Sequence, residues 1–187
     1  MSHLSVDDSG WIAGAERISS PNFDERPAGE VIDMLIIHGI SLPDGEFGTP
    51  YIDQLFTNQL VGTEERGFEI LQDLRVSSHL LIRRDGRLVQ YVSLDRRAWH
   101  AGVSFFQGRE HCNDFSIGVE LEGSDEVPYA DAQYEQLAAV MRCLREAYPL
   151  ITSDRVVGHS EIAPGRKSDP GAAFEWERVF RDMESES

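Results

Sequence analysis

Residues 31–38, VIDMLIIH, form an almost unbroken apolar run that ends in a histidine. A run this short with no polar face fits a strand buried on both sides, and it sets His38 at the strand's C-terminal edge. A chain that carries such a strand must cover it on both faces. The rest of the sequence supplies the covers. Residues 131–148 place Tyr134, Leu137, Ala138, Met141, Leu144 and Tyr148 on one helical stripe, with Asp131 as N-cap and Pro149 as the stop. Phe174, Val179, Phe180 and Met183 predict a closing helix.

Further strands are expected on both sides of that run. SHLLIR and RLVQYV flank Asp85-Gly86 and predict a hairpin over 78–92 with a two-residue turn. FSIGVELE, 115–122, alternates: Phe115, Ile117, Val119 and Leu121 point one way, Ser116, Gly118, Glu120 and Glu122 the other. RVVG, 155–158, predicts a short strand running into His159. Ile52, Leu55, Phe56 and Leu60 predict one helix, and Phe68, Leu71 and Leu74 a second short one. Residues 1–30, 41–50 and 96–114 read as irregular. The expected fold class is α/β, a mixed central sheet flanked by helices, and the 187 residues suit one domain.

Charge narrows the function. The formal net charge is -16. That excess argues against nucleic acid and anionic membrane surfaces, which need a basic face. It also suits a high-salt habitat, which activity retained at molar salt would check. No apolar run approaches a membrane span. The N-terminal MSHLSVDDSG has no signal-peptide pattern, so a cytoplasmic protein is expected. Cys112 and Cys143 lie in no metal-binding spacing and are expected to be free thiols.

The chemistry concentrates near strand ends. His38 and His159 each follow an apolar strand, and α/β proteins place ligand-binding groups there. Asp169 is a third candidate ligand, in a loop shaped by Pro164, Gly165, Pro170 and Gly171. Two imidazoles and a carboxylate, with one position open, make a catalytic zinc site. A carboxylate near such a site can act as general base, and both Glu120 and Glu122 qualify by position. Lys167 is the only lysine among 17 basic residues. A compact ammonium there suits stabilisation of an oxyanion, a task a broad guanidinium does not replicate.

These residues sit in longer blocks that resemble a known family. GWIAGAERISSPNFDERP, LIIHGISLPDGEFGTPYID, LRVSSHLLIRRDGRLVQYV, RAWHAGVSFFQGREHCNDFSIGVELEGSD, YADAQYEQLAAVMRCL and GHSEIAPGRKSDPGAAFEW together cover nearly the whole chain. They are similar to the cytosolic 1,6-anhydro-N-acetylmuramyl-L-alanine amidases of Gram-negative bacteria. Those enzymes lie within the wider zinc amidase and peptidoglycan-recognition-protein superfamily. The resemblance implies a zinc amidase that hydrolyses anhydro-muropeptides in cell-wall recycling, an activity that in relatives lowers the signal inducing β-lactamase. It implies Zn²⁺ held by His38, His159 and Asp169, with Glu120 activating water and Lys167 stabilising the transition state. It places Arg75, Trp99, His100 and His111 at the substrate, Arg75 gripping a peptide carboxylate. The chain departs from the family at Gly39, where asparagine is common, and at His111, where arginine is common.

Two other readings compete. A non-catalytic peptidoglycan-binding module would lack the ligand set, which is complete here. A secreted or phage-type amidase would lack the blocks specific to the anhydro type. A monomer is expected.

Overall fold

The computed structural model describes residues 4–60, 68 and 71–184. Its strands are β1 (Glu16–Arg17), β2 (Phe23–Asp24), β3 (Met34–Ile40), β4 (Leu80–Ile82), β5 (Leu88–Gln90), β6 (Arg97–Ala98), β7 (Phe105–Phe106), β8 (Arg109–Glu110), β9 (Ser116–Glu122) and β10 (Val156–Gly158). Its helices are α1 (Tyr51–Phe56), α2 (Asp131–Ala147), α3 (His159–Ile162) and α4 (Trp176–Glu184). The central sheet is six-stranded, in the order β1-β5-β4-β9-β3-β10. Strands β4, β9, β3 and β10 are mutually parallel, while β5 is antiparallel to β4. The mixed α/β architecture is therefore the one expected.

Parallel pairing brings the C-terminal ends of β3, β9 and β10 to one edge. Register then fixes neighbours: His38 lies opposite Glu120, and Gly158 opposite Ile37, so His159 emerges beside them. One sheet face carries Leu35, Ile37, Ile117, Val119 and Leu121 against Tyr134, Leu137, Val140, Met141 and Leu144 of α2 and Val179 of α4. Burying each such side chain contributes roughly 1.5–3 kcal/mol. The opposite face carries Met34 and Ile36, and two residues further along the same alternation comes His38. A separate cluster packs Ile52, Leu55 and Phe56 of α1 on Leu81, Val89 and Tyr91.

Several expectations change in detail. The strand expected to end at His38 runs on to Ile40. The polar alternate residues of β9 are not solvated; the whole strand is buried. Ala130, not Asp131, caps α2, and the Gln133 side-chain oxygen accepts the Ala130 N–H at 3.0 Å. The hairpin loop has three residues rather than two: Arg83 N–H donates to Arg87 O, and Gly86 takes a φ of +83° that only glycine adopts freely. The stretch 96–114 contains β6, the β7–β8 hairpin and a 3₁₀ turn at Cys112–Asp114. The 1–30 lead-in gives β1 and β2, which pair with β5 and β6. Two-residue strands are too short to leave a period in the sequence. The second short helix falls largely outside the described residues; Leu71–Asp73 form a tight turn. The Met183 side chain also lies outside them, and both cysteines are free and buried.

A buried ion network ties the loop before α1 to β9. Glu122 accepts Gly48 N–H at 2.7 Å and Arg84 N–H at 3.1 Å, and pairs with Arg83 at 3.3 Å. Arg83 reaches on to Asp53 of α1 at 2.7 Å. Glu122 is thus a satisfied structural carboxylate.

Candidate metal centre

His38, His159 and Asp169 converge at the sheet edge. His38 comes from β3 and His159 opens α3. Asp169 returns through the proline- and glycine-rich loop, which is pinned twice. Ser160 N–H donates to Asp169 O at 3.0 Å, and Tyr129 O–H donates to Pro170 O at 2.9 Å. A Cβ at Gly39 would collide with that tyrosine hydroxyl, so the glycine suits this packing.

The three ligand atoms form a tight triangle. His38 Nδ1 and His159 Nδ1 are 3.0 Å apart, and Asp169 Oδ2 lies 3.2 Å and 3.1 Å from them. Zinc with bonds of about 2.0–2.1 Å spaces tetrahedral ligands by a similar distance. No other group of three or more metal-ligating side chains lies so close among the described residues. His159 Nε2 faces Ala101 O at 3.1 Å. A carbonyl only accepts, so His159 carries a proton on Nε2, which leaves Nδ1 as the nitrogen available to a metal. The donor set therefore fits a divalent cation such as zinc.

The surroundings support the fit. The triangle and Glu120 line one cleft of about 210 Å³, together with Gly39, Trp99, His100 and Lys167. The cleft shares Gly39, Ile40, Lys167 and Asp169 with a wider polar groove of about 680 Å³. Glu120 is buried, and its Oε2 has no hydrogen-bond partner. A buried carboxylate oxygen left unpaired is costly unless something binds there. The contrast with Glu122 separates two residues that the alternation alone left equivalent.

Burial dominates the electrostatics. It pushes His38 down to about 4, with the neighbouring His159 adding to the effect and Asp169 opposing it. Burial also drives His79 down to about 3 and His100 well below its usual range. It holds Glu120 well above the carboxylate range, with Asp169 adding to the rise and Lys167 opposing it. Burial would raise Asp169 too, but its contacts with His159 and His38 outweigh that and hold it far below its usual value.

These directions set how stability depends on pH. Unfolded histidines titrate near 6.5. Between that value and about pH 4.5 the unfolded chain holds protons on His38 and His79 that the metal-free native state does not, and His100 shifts in the same direction. Glu120, whose carboxyl burial raises, shifts the balance the other way, by one proton at most. Asp169 acts only below this window. The two histidines outweigh the glutamate, so stability falls with acid, by about 1.4 kcal/mol per pH unit or more. Urea unfolding of chelated protein at pH 6 and pH 5 checks this. Equal unfolding free energies would contradict it.

The four expected substrate residues divide. Trp99 is half-buried and lines the cleft. His100 lines it too, but both ring nitrogens are engaged, Nδ1 with His38 Nε2 at 3.0 Å and Nε2 with Ser116 Oγ at 3.4 Å. Arg75 is exposed and turns its guanidinium to the carbonyls of Gln72 and Leu74. His111 is exposed, in a left-handed conformation ahead of the 3₁₀ turn. Neither Arg75 nor His111 lines the cleft. The sequence reading missed Arg166, which donates to Ala101 O at 2.6 Å and Val103 O at 2.7 Å. It also missed Ser116, although that serine shares the Glu120 side of the alternation.

Comparison with known proteins gives concordant results. A family model described as N-acetylmuramoyl-L-alanine amidase matches residues 28–172. The 1,6-anhydro-N-acetylmuramyl-L-alanine amidase AmpD of Escherichia coli is 56% identical over 178 residues, 95% of this chain and 96% of that protein. A crystal structure of a selenomethionine AmpD derivative superposes with a TM-score of 0.91 at 55% identity, covering 94% of this chain and 98% of that one. AmpDh3 from Pseudomonas aeruginosa, in complex with anhydromuramic pentapeptide, matches at 29% identity and a TM-score of 0.60, over 83% of this chain and 61% of its own.

Proposed function

We infer what the site does from one premise: the chain belongs to the N-acetylmuramoyl-L-alanine amidase family. It is a hydrolase of peptidoglycan recycling. It cleaves the amide between the lactyl group of 1,6-anhydro-N-acetylmuramic acid and L-alanine of the stem peptide. The observation that carries this reading is a ligand triangle and an unpaired buried glutamate sharing one cleft. The family resemblance alone would not tell an enzyme from a binding module; the complete set favours the enzyme.

We assign the residues as follows. His38, His159 and Asp169 would hold a zinc ion at the cleft. When bound, zinc acidifies water and polarises a carbonyl. Glu120 removes a proton from the water that attacks the amide carbonyl, which its low-polarity surroundings favour. Lys167 sets its ammonium by the carbonyl oxygen as that oxygen gains charge. The carbon–nitrogen bond then breaks, and Glu120 passes its proton to the departing L-alanine nitrogen. The products are the anhydro-sugar acid and the free peptide. Trp99 supplies a wall of the cleft for the substrate. No described helix is long and apolar enough to cross a membrane.

The test is to incubate the protein with anhydro-muropeptides and with muropeptides bearing a reducing sugar, and to identify products by mass. Faster release of peptide from the anhydro substrate is expected. Equal rates would remove the anhydro preference, and intact substrate in both would remove the amidase assignment.

A further inference from the structure

We propose that His100 and Ser116 are positioning residues that lock His38 in the one neutral tautomer able to bind a metal through Nδ1. The inference rests on the triangle being a metal site and needs no assumption about substrate. Its argument is an accounting of donors. Ser116 Oγ lies 2.5 Å from Cys112 O, and a carbonyl only accepts, so the hydroxyl proton points there. The serine oxygen can then only accept from His100 Nε2 at 3.4 Å. A neutral imidazole has a single N–H, so His100 Nδ1 is bare. That nitrogen sits 3.0 Å from His38 Nε2, which must donate to it. His38 has then spent its proton on Nε2, and its Nδ1 faces the triangle as a lone pair. Both rings are buried, and a second N–H on His100 would point straight at the Nε2–H that a metal-bound His38 carries 3.0 Å away, so His100 holds its one proton on Nε2.

The geometry is built for this. His100 lies against Gly118 of β9 so closely that any Cβ there would overlap its ring. Asn113 Oδ1 accepts the backbone N–H groups of His100 at 3.1 Å and Ala101 at 2.8 Å, clamping the segment in place. Ala101 O in turn fixes the His159 tautomer. Two consecutive residues, one through its ring and the other through its carbonyl, therefore orient both imidazole ligands. Without them either ring can rotate its proton into the metal position. Outer partners of metal-ligating histidines are typically worth about 10–100-fold in metal affinity.

The experiment uses the full-length protein. In the zinc-bound state, long-range proton–nitrogen correlation spectra of ¹⁵N-histidine-labelled protein are expected to show His100 protonated on Nε2 alone, with its bare Nδ1 accepting from the Nε2 proton of His38. Zinc affinity is then measured by competition with a chelator. His100→Leu is expected to weaken zinc by about 10–100-fold. His100→Asn, whose amide oxygen replaces the Nδ1 acceptor, should restore most of that loss. Ser116→Ala should weaken zinc and populate both tautomers of His100. A His100 proton on Nδ1 in the zinc-bound unaltered protein would overturn the proposal. So would a folded His100→Leu that binds zinc as the unaltered protein does. If His100→Leu does not fold, the spectrum of the unaltered protein decides. None of these readouts involves substrate, so failure of the amidase reading would leave them intact, and their failure would leave it intact.

Discussion

Glu120→Gln is expected to keep zinc bound and to lower kcat by roughly 10²–10⁴-fold. The change is nearly isosteric, and the structure gives Glu120 Oε2 no partner whose loss would disturb the fold. Glutamine cannot accept the proton of the attacking water, so the loss should appear in kcat and kcat/KM alike, the sign of an interaction made in the transition state. The neighbouring Glu122→Gln should behave in the opposite way. It removes one of the two negative partners of buried Arg83, at 3.3 Å, while Asp53 stays at 2.7 Å, so the expected effect is on stability, roughly 1.5–3 kcal/mol. Residual activity per folded molecule should stay near normal. Chemical denaturation and zinc content, measured on both variants beside the rate, separate the two roles. A Glu120→Gln enzyme with a near-normal rate would transfer the base to another group.

Lys167→Arg is expected to retain zinc and lose roughly 10²–10³-fold in kcat, the usual loss for one oxyanion donor. Position 167 is exposed on its loop yet lines the cleft with Glu120 and the ligand triangle. The backbone N–H of Lys167 donates to Ala163 O at 3.1 Å, which fixes where the side chain starts. Arginine keeps the charge but spreads it over a planar fork that cannot fit the same point. All other basic residues of the chain are arginines, so the composition offers no reason for lysine here unless the site needs it. Steady-state kinetics with zinc analysis checks this. A near-normal rate would make Lys167 an ordinary solvated loop residue.

Much of this site was legible because periodicity speaks to strands. The apolar run before His38 marked a buried strand, and the short run before His159 marked another. Parallel pairing of β3 and β10 then brought the two histidines together. Asp169 was legible as a candidate only. Its approach to His159 depends on Ser160 N–H and on Tyr129, 41 residues from Pro170 in sequence, and no local pattern encodes that. Glu120 and Glu122 were equivalent to the alternation because a period of two puts both on one face. What separates them is partners: Glu122 meets Gly48 and Arg83, while Glu120 meets an open cleft. His100 was read as a substrate contact. The fold sets its ring against Gly118 with Nδ1 3.0 Å from His38 Nε2, while the side chain still lines the cleft.

Amide hydrolysis is expected to require a metal ion held by His38, His159 and Asp169. The direct measurement strips the protein with a chelator, confirms the absence of metal by elemental analysis, and titrates zinc back while anhydro-muropeptide cleavage is followed by mass. No cleavage by the stripped protein and full recovery at one zinc per chain are expected. Cleavage at the full rate by protein shown to be metal-free would contradict this expectation.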